Sequence, residues 1–221
     1  MKFLILACGR TGQHAIIRWI AEGLDGPVAI HHNCKNWWDR GELRANRVTG
    51  TGKRRKNPHI IKNIEDFYLP LWDNIKEFEK FDHIITIVRS PRNWLASSIA
   101  AQGWANDYLD AAPENYPPLP VSRIKAYKMY LEHCALMWPM KDVKVLDYDK
   151  WVDNLSYRKR IAKVLNISCV KKPDQCKFSS FKRPFNHTED RSKLLGKKKQ
   201  RRFKSLYDNF LKEMQESLWT K

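Results

Sequence analysis

Acidic side chains are scarce: 24 Asp and Glu stand against 41 Lys and Arg, a formal charge of +17 over 221 residues. That imbalance does not choose a fold, but it favours anionic partners: a nucleotide, a sulfated or phosphorylated substrate, nucleic acid or a membrane surface. CxxC pairs are absent. The five cysteines, Cys8, Cys34, Cys134, Cys169 and Cys176, are odd in number and cannot all pair within one chain. Free thiols in a reducing compartment are therefore expected, and no set of paired Cys/His ligands or clustered Asp suggests a metal site. Long apolar runs are missing too. The leading run, Phe3 to Cys8, falls short of the roughly 7–15 residues of a signal-peptide core, and no stretch nears the roughly 20 of a membrane span. The expectation is a soluble, cytoplasmic protein without a membrane span.

What is present alternates. Short apolar runs at 3–8, 28–32, 59–63, 83–89 and 143–148 end in polar residues. Runs apolar at consecutive positions fit strands covered on both faces, hence a mostly parallel sheet of about five strands. Helical periodicity marks 14–24, about 67–80, about 92–102, 122–138, 150–165 and a basic amphipathic segment at about 197–218. The class expected is α/β: a P-loop-type three-layer sandwich, one domain over 1–221, with ligands at the carboxyl ends of the strands. Gly- and Arg/Lys-rich 41–58 and proline-bearing 103–120 read as loops.

Two segments carry chemistry. In "FLILACGRTGQHAIIRWI" (3–20) a strand passes through Gly9-Arg10-Thr11-Gly12, followed by Gln13 and His14, into a helix. Unpaired amides and the positive end of the helix dipole suit a phosphate there, and Gly9 and Gly12 permit the tight path. The Lys-Ser/Thr pair of a magnesium-nucleotide loop is missing. In "IITIVRSPRNWLASS" (84–98) Arg89 ends a buried strand, Pro91 suits a helix first turn, and Ser97 sits eight residues beyond Arg89. A guanidinium and a hydroxyl could converge there on a small anion.

Together the two segments resemble the P-loop sulfotransferase family, which uses 3′-phosphoadenosine 5′-phosphosulfate (PAPS). That family's first loop reads roughly [Lys/Arg]-Ser-Gly-Thr-[Thr/Ser], here Arg10-Thr11-Gly12-Gln13-His14. Its second motif reads roughly Arg-x-Pro-x-Asp-x-x-x-Ser, here Arg89-Ser90-Pro91-Arg92-Asn93 through Ser97. Gln13, His14 and Asn93 depart from the pattern. The resemblance implies that the first loop holds the 5′-phosphosulfate end and that Arg89 and Ser97 hold the 3′-phosphate. Tyr148-Asp149 stand where the family has a Tyr-Glu-Asp-Leu strand end. Lys182 and Arg183, in "SSFKRPFNHTEDR" (179–191), are the nearest counterpart of its 3′-phosphate loop.

Sulfuryl transfer needs a base and positive charge at the bridging oxygen. His31 and His32 close the second strand, and alternation turns only one of them toward a cleft. Lys62, ending the third strand, and Arg10 are the candidates for the bridging oxygen. The basic run 53–56 lies between the second and third strands, where it could rim the acceptor cleft and favour an acidic acceptor; a carbohydrate, a peptide tyrosine and a small alcohol are all open as the acceptor. Two other readings stand beside this one. A P-loop nucleotide or small-molecule kinase is opposed by the missing Lys-Ser/Thr pair. A non-catalytic nucleic-acid-binding protein is opposed by aromatics that fall in apolar patterns rather than among the basic runs. The sequence names neither the acceptor nor the oligomeric state.

Overall fold

Why the apolar runs become strands is plainest at the centre of the sheet. The computed structural model of the chain describes residues 1–32, 34–36, 43–45, 47–65, 80–100, 127–132, 134, 143–168, 200–201, 203–204 and 207–208. Strand β1 (Lys2–Ala7) has every side chain from Phe3 to Ala7 at 0% exposure, so both of its faces are covered. Phe3 and Ile5 pack under helix α1 (Gln13–Gly23). Leu4 and Leu6 point the other way, onto Ile64, Ile84 and Val143. An alternating polar residue anywhere in this run would have been buried without a partner.

Around β1 lie β2 (Val28–His32), β5 (Arg47–Thr49), β6 (His59–Glu65), β7 (His83–Val88) and β8 (Val143–Asp147), in the order β5-β2-β6-β1-β7-β8. All neighbours run parallel except β5, which pairs antiparallel with β2. Two-residue strands β3 (Lys35–Asn36) and β4 (Leu43–Arg44) pair separately. Helices α1, α3 (Tyr148–Asp153) and α4 (Leu155–Val164) cover one face. Helix α2 (Pro91–Ala100), the helical residues 127–132 and 134, and Phe203 pack together on the side of Cys8 and Val88. The expected α/β class, three layers on a mostly parallel sheet, is the class observed.

The differences from expectation are local. Six strands replace about five, because residues within the segment read as a loop, 47–49, add an antiparallel strand to the exposed edge of β2. The helix expected over 150–165 is two helices. Asn154 leaves helical geometry (φ −114°, ψ 107°) and its side chain accepts from Tyr157 N, capping α4, as Asp147 accepts from Lys150 N to cap α3. Both caps use the short acceptors that favour helix starts. Residues 103–120, 182 and 183 and all but the end of the helix expected at 67–80 lie outside the described residues. Among the described residues, no helix is long and apolar enough to cross a membrane.

Candidate functional site

The first loop sits at the carboxyl end of β1, the most buried strand of the sheet. Its inward side is fully bonded. Thr11, 0% exposed, donates its hydroxyl to the Cys8 carbonyl (2.7 Å), and its amide donates to the same oxygen (3.2 Å). Trp94 Nε1 on α2 donates to the Gly9 carbonyl (2.8 Å). Arg89 Nη1 donates to the Arg10 carbonyl (3.0 Å). Gln13 is buried beside Thr11. The side chains of Thr11 and Gln13 are thus committed to holding the loop, and the loop's outward chemistry falls to backbone amides and Arg10. Among the described residues the amides of Gly12, Gln13 and His14 have no acceptor, as the first amides of a helix do not. The positive end of α1 lies behind them, an arrangement whose chemistry suits an anion.

Arg10 (φ 73°) and Gly12 (φ 95°) give the loop its left-handed turn. Gly12 is also required sterically, since a Cβ there would run into the Tyr148 ring. Tyr148 opens α3, so the loop is closed by the residue that follows the edge strand β8.

Arg89 lies directly beneath, 5% exposed. Its guanidinium meets the Arg10 carbonyl, Asp149 Oδ1 (3.6 Å from Nε) and the Tyr148 ring (4.9 Å to the centroid). Its own carbonyl accepts from the Tyr127 hydroxyl. Nε is buried and has no hydrogen-bond acceptor, so donor capacity is left over at this position. Asp149 in turn accepts from Ser90 N (2.8 Å) and Asn93 Nδ2 (3.2 Å), fastening the turn into α2. Ser97, half-buried on α2, is not among the contacts of Arg89.

The two histidines separate as alternation requires. His32 shares a face with Val28 and Ile30, under α1; its ring lies 6.2 Å from that of His14, and its Nε2 is 2.7 Å from Thr49 Oγ1. A cavity of about 300 Å³ opens here, lined by His14, Ile17, Val28, Ile30, His32 and Gly50 among others. His31 is on the opposite face, level in register with Lys62, whose Nζ lies 5.8 Å from the Phe81 ring centroid. The structure therefore groups Gly9–His14, Arg89 and His32 on one side, and His31 with Lys62 on the other. All three imidazoles are held neutral. Burial, helped by His32 and Arg10, takes His14 down to about 4. Burial and Lys62 lower His31; burial, Arg47 and His31 lower His32.

Sequence reasoning passed over Trp94, Tyr127 and Asn63. Asn63 is 0% exposed on the face of Ile5, with neither amide atom bonded. A polar residue one step beyond Lys62 in an apolar strand was the available signal. The placement of 53–56 also differs from expectation. Because β5 reverses the chain, the turn from 50 to 58 returns to the amino end of β2, where Gly52 N donates to the Val28 carbonyl (2.8 Å). The basic run stands at the end of the sheet opposite the loop and does not rim it. Among the described residues, no three His, Cys, Asp or Glu side chains are grouped to hold a metal ion.

No protein-family model matches the sequence, and no curated protein does. Solved structures similar to the chain include mouse sulfotransferase SULT7A1 complexed with PAP, at 16% identity over 95% of this chain and 84% of that one, with a TM-score of 0.48.

Proposed function

We propose that the chain is a single-domain transferase that moves a sulfuryl group from PAPS to a hydroxyl or amine of an acceptor. The observation that carries this reading is the loop itself: an anion cradle of unpaired amides at Gly12, Gln13 and His14, with Arg10 beside it and Arg89 below. It has no lysine–hydroxyl pair to place a magnesium nucleotide. The order Arg10-Thr11-Gly12 and then Arg89 to Ser97 supports the same donor. The unsatisfied Nε–H of Arg89 fits a group that supplies one more acceptor at this end of the site.

In this reading the cradle amides and Arg10 hold the 5′-phosphosulfate end, while Arg89 and Ser97 face the 3′-phosphate. The acceptor oxygen attacks sulfur in line, the bond from sulfur to the bridging oxygen breaks, and 3′-phosphoadenosine 5′-phosphate (PAP) departs. Arg10 and the amides stabilise the charge that develops on the leaving oxygen. The acceptor's proton passes to His32, which lies beside the first turn of α1, rather than to His31 across the sheet. A neutral imidazole is the form that can accept it.

A thermal-shift comparison of PAP with 5′-AMP tests the donor. A ligand at about 100 times its Kd adds about 2.7 kcal/mol, so PAP should raise Tm clearly and 5′-AMP far less. Ser97→Ala should narrow the difference. Equal shifts with the two nucleotides refute the assignment.

A further inference from the structure

We infer that the outer strand β5 and the turn following it form a docking track for a linear anionic polysaccharide, separate from the anion cradle. The turn carries Lys53, Arg54, Arg55 and Lys56, all exposed. Among the described residues none of the four is paired with a carboxylate. Four adjacent like charges repel one another, and a loose segment would let them spread. Here the backbone prevents it. Val28 N donates to Thr51 Oγ1 (3.2 Å), Gly52 N to the Val28 carbonyl (2.8 Å) and Arg55 N to the Gly52 carbonyl (3.0 Å). Gly50 (φ 94°) and Asn57 (φ 53°) take left-handed conformations to make the path, and Gly52 is buried against Val28 and Pro58. A pinned cluster of unpaired cations is preorganised for a partner that supplies several anions at once.

The track has a direction. From the turn, β5 runs along the outside of β2 to Arg47, which is exposed and level with His32. Over that height β2 runs from Val28, bonded to the turn, to His32, about 13 Å at roughly 3.3 Å per residue. A polymer lying on the track would reach from the basic turn to the neighbourhood of His32. That last step, delivery toward the reacting centre, rests on the transfer reading; the docking itself does not.

Residues 47–58 contain no aromatic side chain on which a base could stack, and Val48, 38% exposed, is the sole large apolar side chain of the stretch that is exposed. Single-stranded nucleic acid recognition uses stacking platforms, and interfacial binding to membranes uses an apolar face. A narrow line of cations with neither suits a flexible chain of carboxylates and sulfates.

The test is equilibrium binding of a heparin-derived octasaccharide, a neutral dextran of similar size and a 20-base-pair duplex, each at three salt concentrations and without nucleotide. The octasaccharide should bind with an affinity that falls steeply with salt, and dextran should not bind. The K53A/R54A/R55A/K56A variant should weaken binding about tenfold or more, and Arg47→Ala a few-fold. Removing three cations elsewhere, with K159A/R160A/K163A on α4, should change it less than about twofold. Tighter binding of the duplex, equal losses from the two multiple variants, or no octasaccharide binding would overturn the proposal. If the octasaccharide binds through the turn while PAP and 5′-AMP shift Tm equally, the track stands and the transfer reading falls.

Discussion

At the carboxyl end of the sheet Arg89 is 5% exposed and shared among the Arg10 carbonyl, Asp149 and the Tyr148 ring. At the amino end Lys53, Arg54, Arg55 and Lys56 are all exposed and, among the described residues, unpaired with any carboxylate. A buried guanidinium needs fixed partners, so Arg89 is tied into the scaffold and shapes the loop above it while keeping one donor spare. Exposed ammonium and guanidinium groups are satisfied by water, contribute little to the fold, and stay available to a partner. The same residue type therefore builds at one end and displays at the other.

The largest loss is expected at Gly12. Gly12→Ala imposes an unfavourable left-handed conformation and drives a methyl into the Tyr148 ring, two faults each worth about 1–3 kcal/mol. A chemical-denaturation midpoint should fall accordingly, and a variant as stable as the parent would mean that loop and Tyr148 are not packed as described.

Next comes pH. His14 is mostly buried with its pKa pushed down to about 4, against about 6.5 when unfolded. Below pH 6.5 the unfolded chain takes up a proton that the folded chain refuses until about pH 4, so stability is full above 6.5 and declines through this window. The loss is of order 3 kcal/mol, with His31 and His32 adding in the same direction. His14→Gln should flatten the profile of Tm against pH; an unchanged slope would reassign it to other groups.

Asp149→Ala should cost about 1.5–3 kcal/mol, because Ser90 N and Asn93 Nδ2 lose their acceptor and Arg89 loses its charged neighbour. It should also weaken PAP binding by loosening the turn that carries Arg89, which a titration of the folded variant would show.

The smallest effect is expected at the basic turn. K53A/R54A/R55A/K56A should alter stability by no more than about 0.5 kcal/mol, with relief of repulsion favouring a slight gain. A large loss there would mean that the basic turn supports the fold after all.

Much of the architecture was legible because it depends on local pattern. Short apolar runs such as Phe3–Cys8 and 84–88 fit strands covered on both sides, and Gly9 and Gly12 after the first run announce a tight turn. Alternation alone says that His31 and His32 point to opposite faces. It does not say which face carries α1, and that choice brings His32 near His14 and puts His31 beside Lys62. Arg89 was legible as a cation at a strand end. Its burial under the Arg10 carbonyl depends on Tyr148 and Asp149, nearly sixty residues further along the chain. The basic run was visible as charge, but its position followed from three residues, 47–49, pairing antiparallel on β2 and reversing the chain. Which segments could be strands, where the first loop turns and how much positive charge the molecule carries all follow from side-chain chemistry within a few residues. Only the tertiary structure decided which cations are buried, which imidazole accompanies the loop and which end of the sheet displays its charge, because each depends on distant segments competing for the same faces and edges.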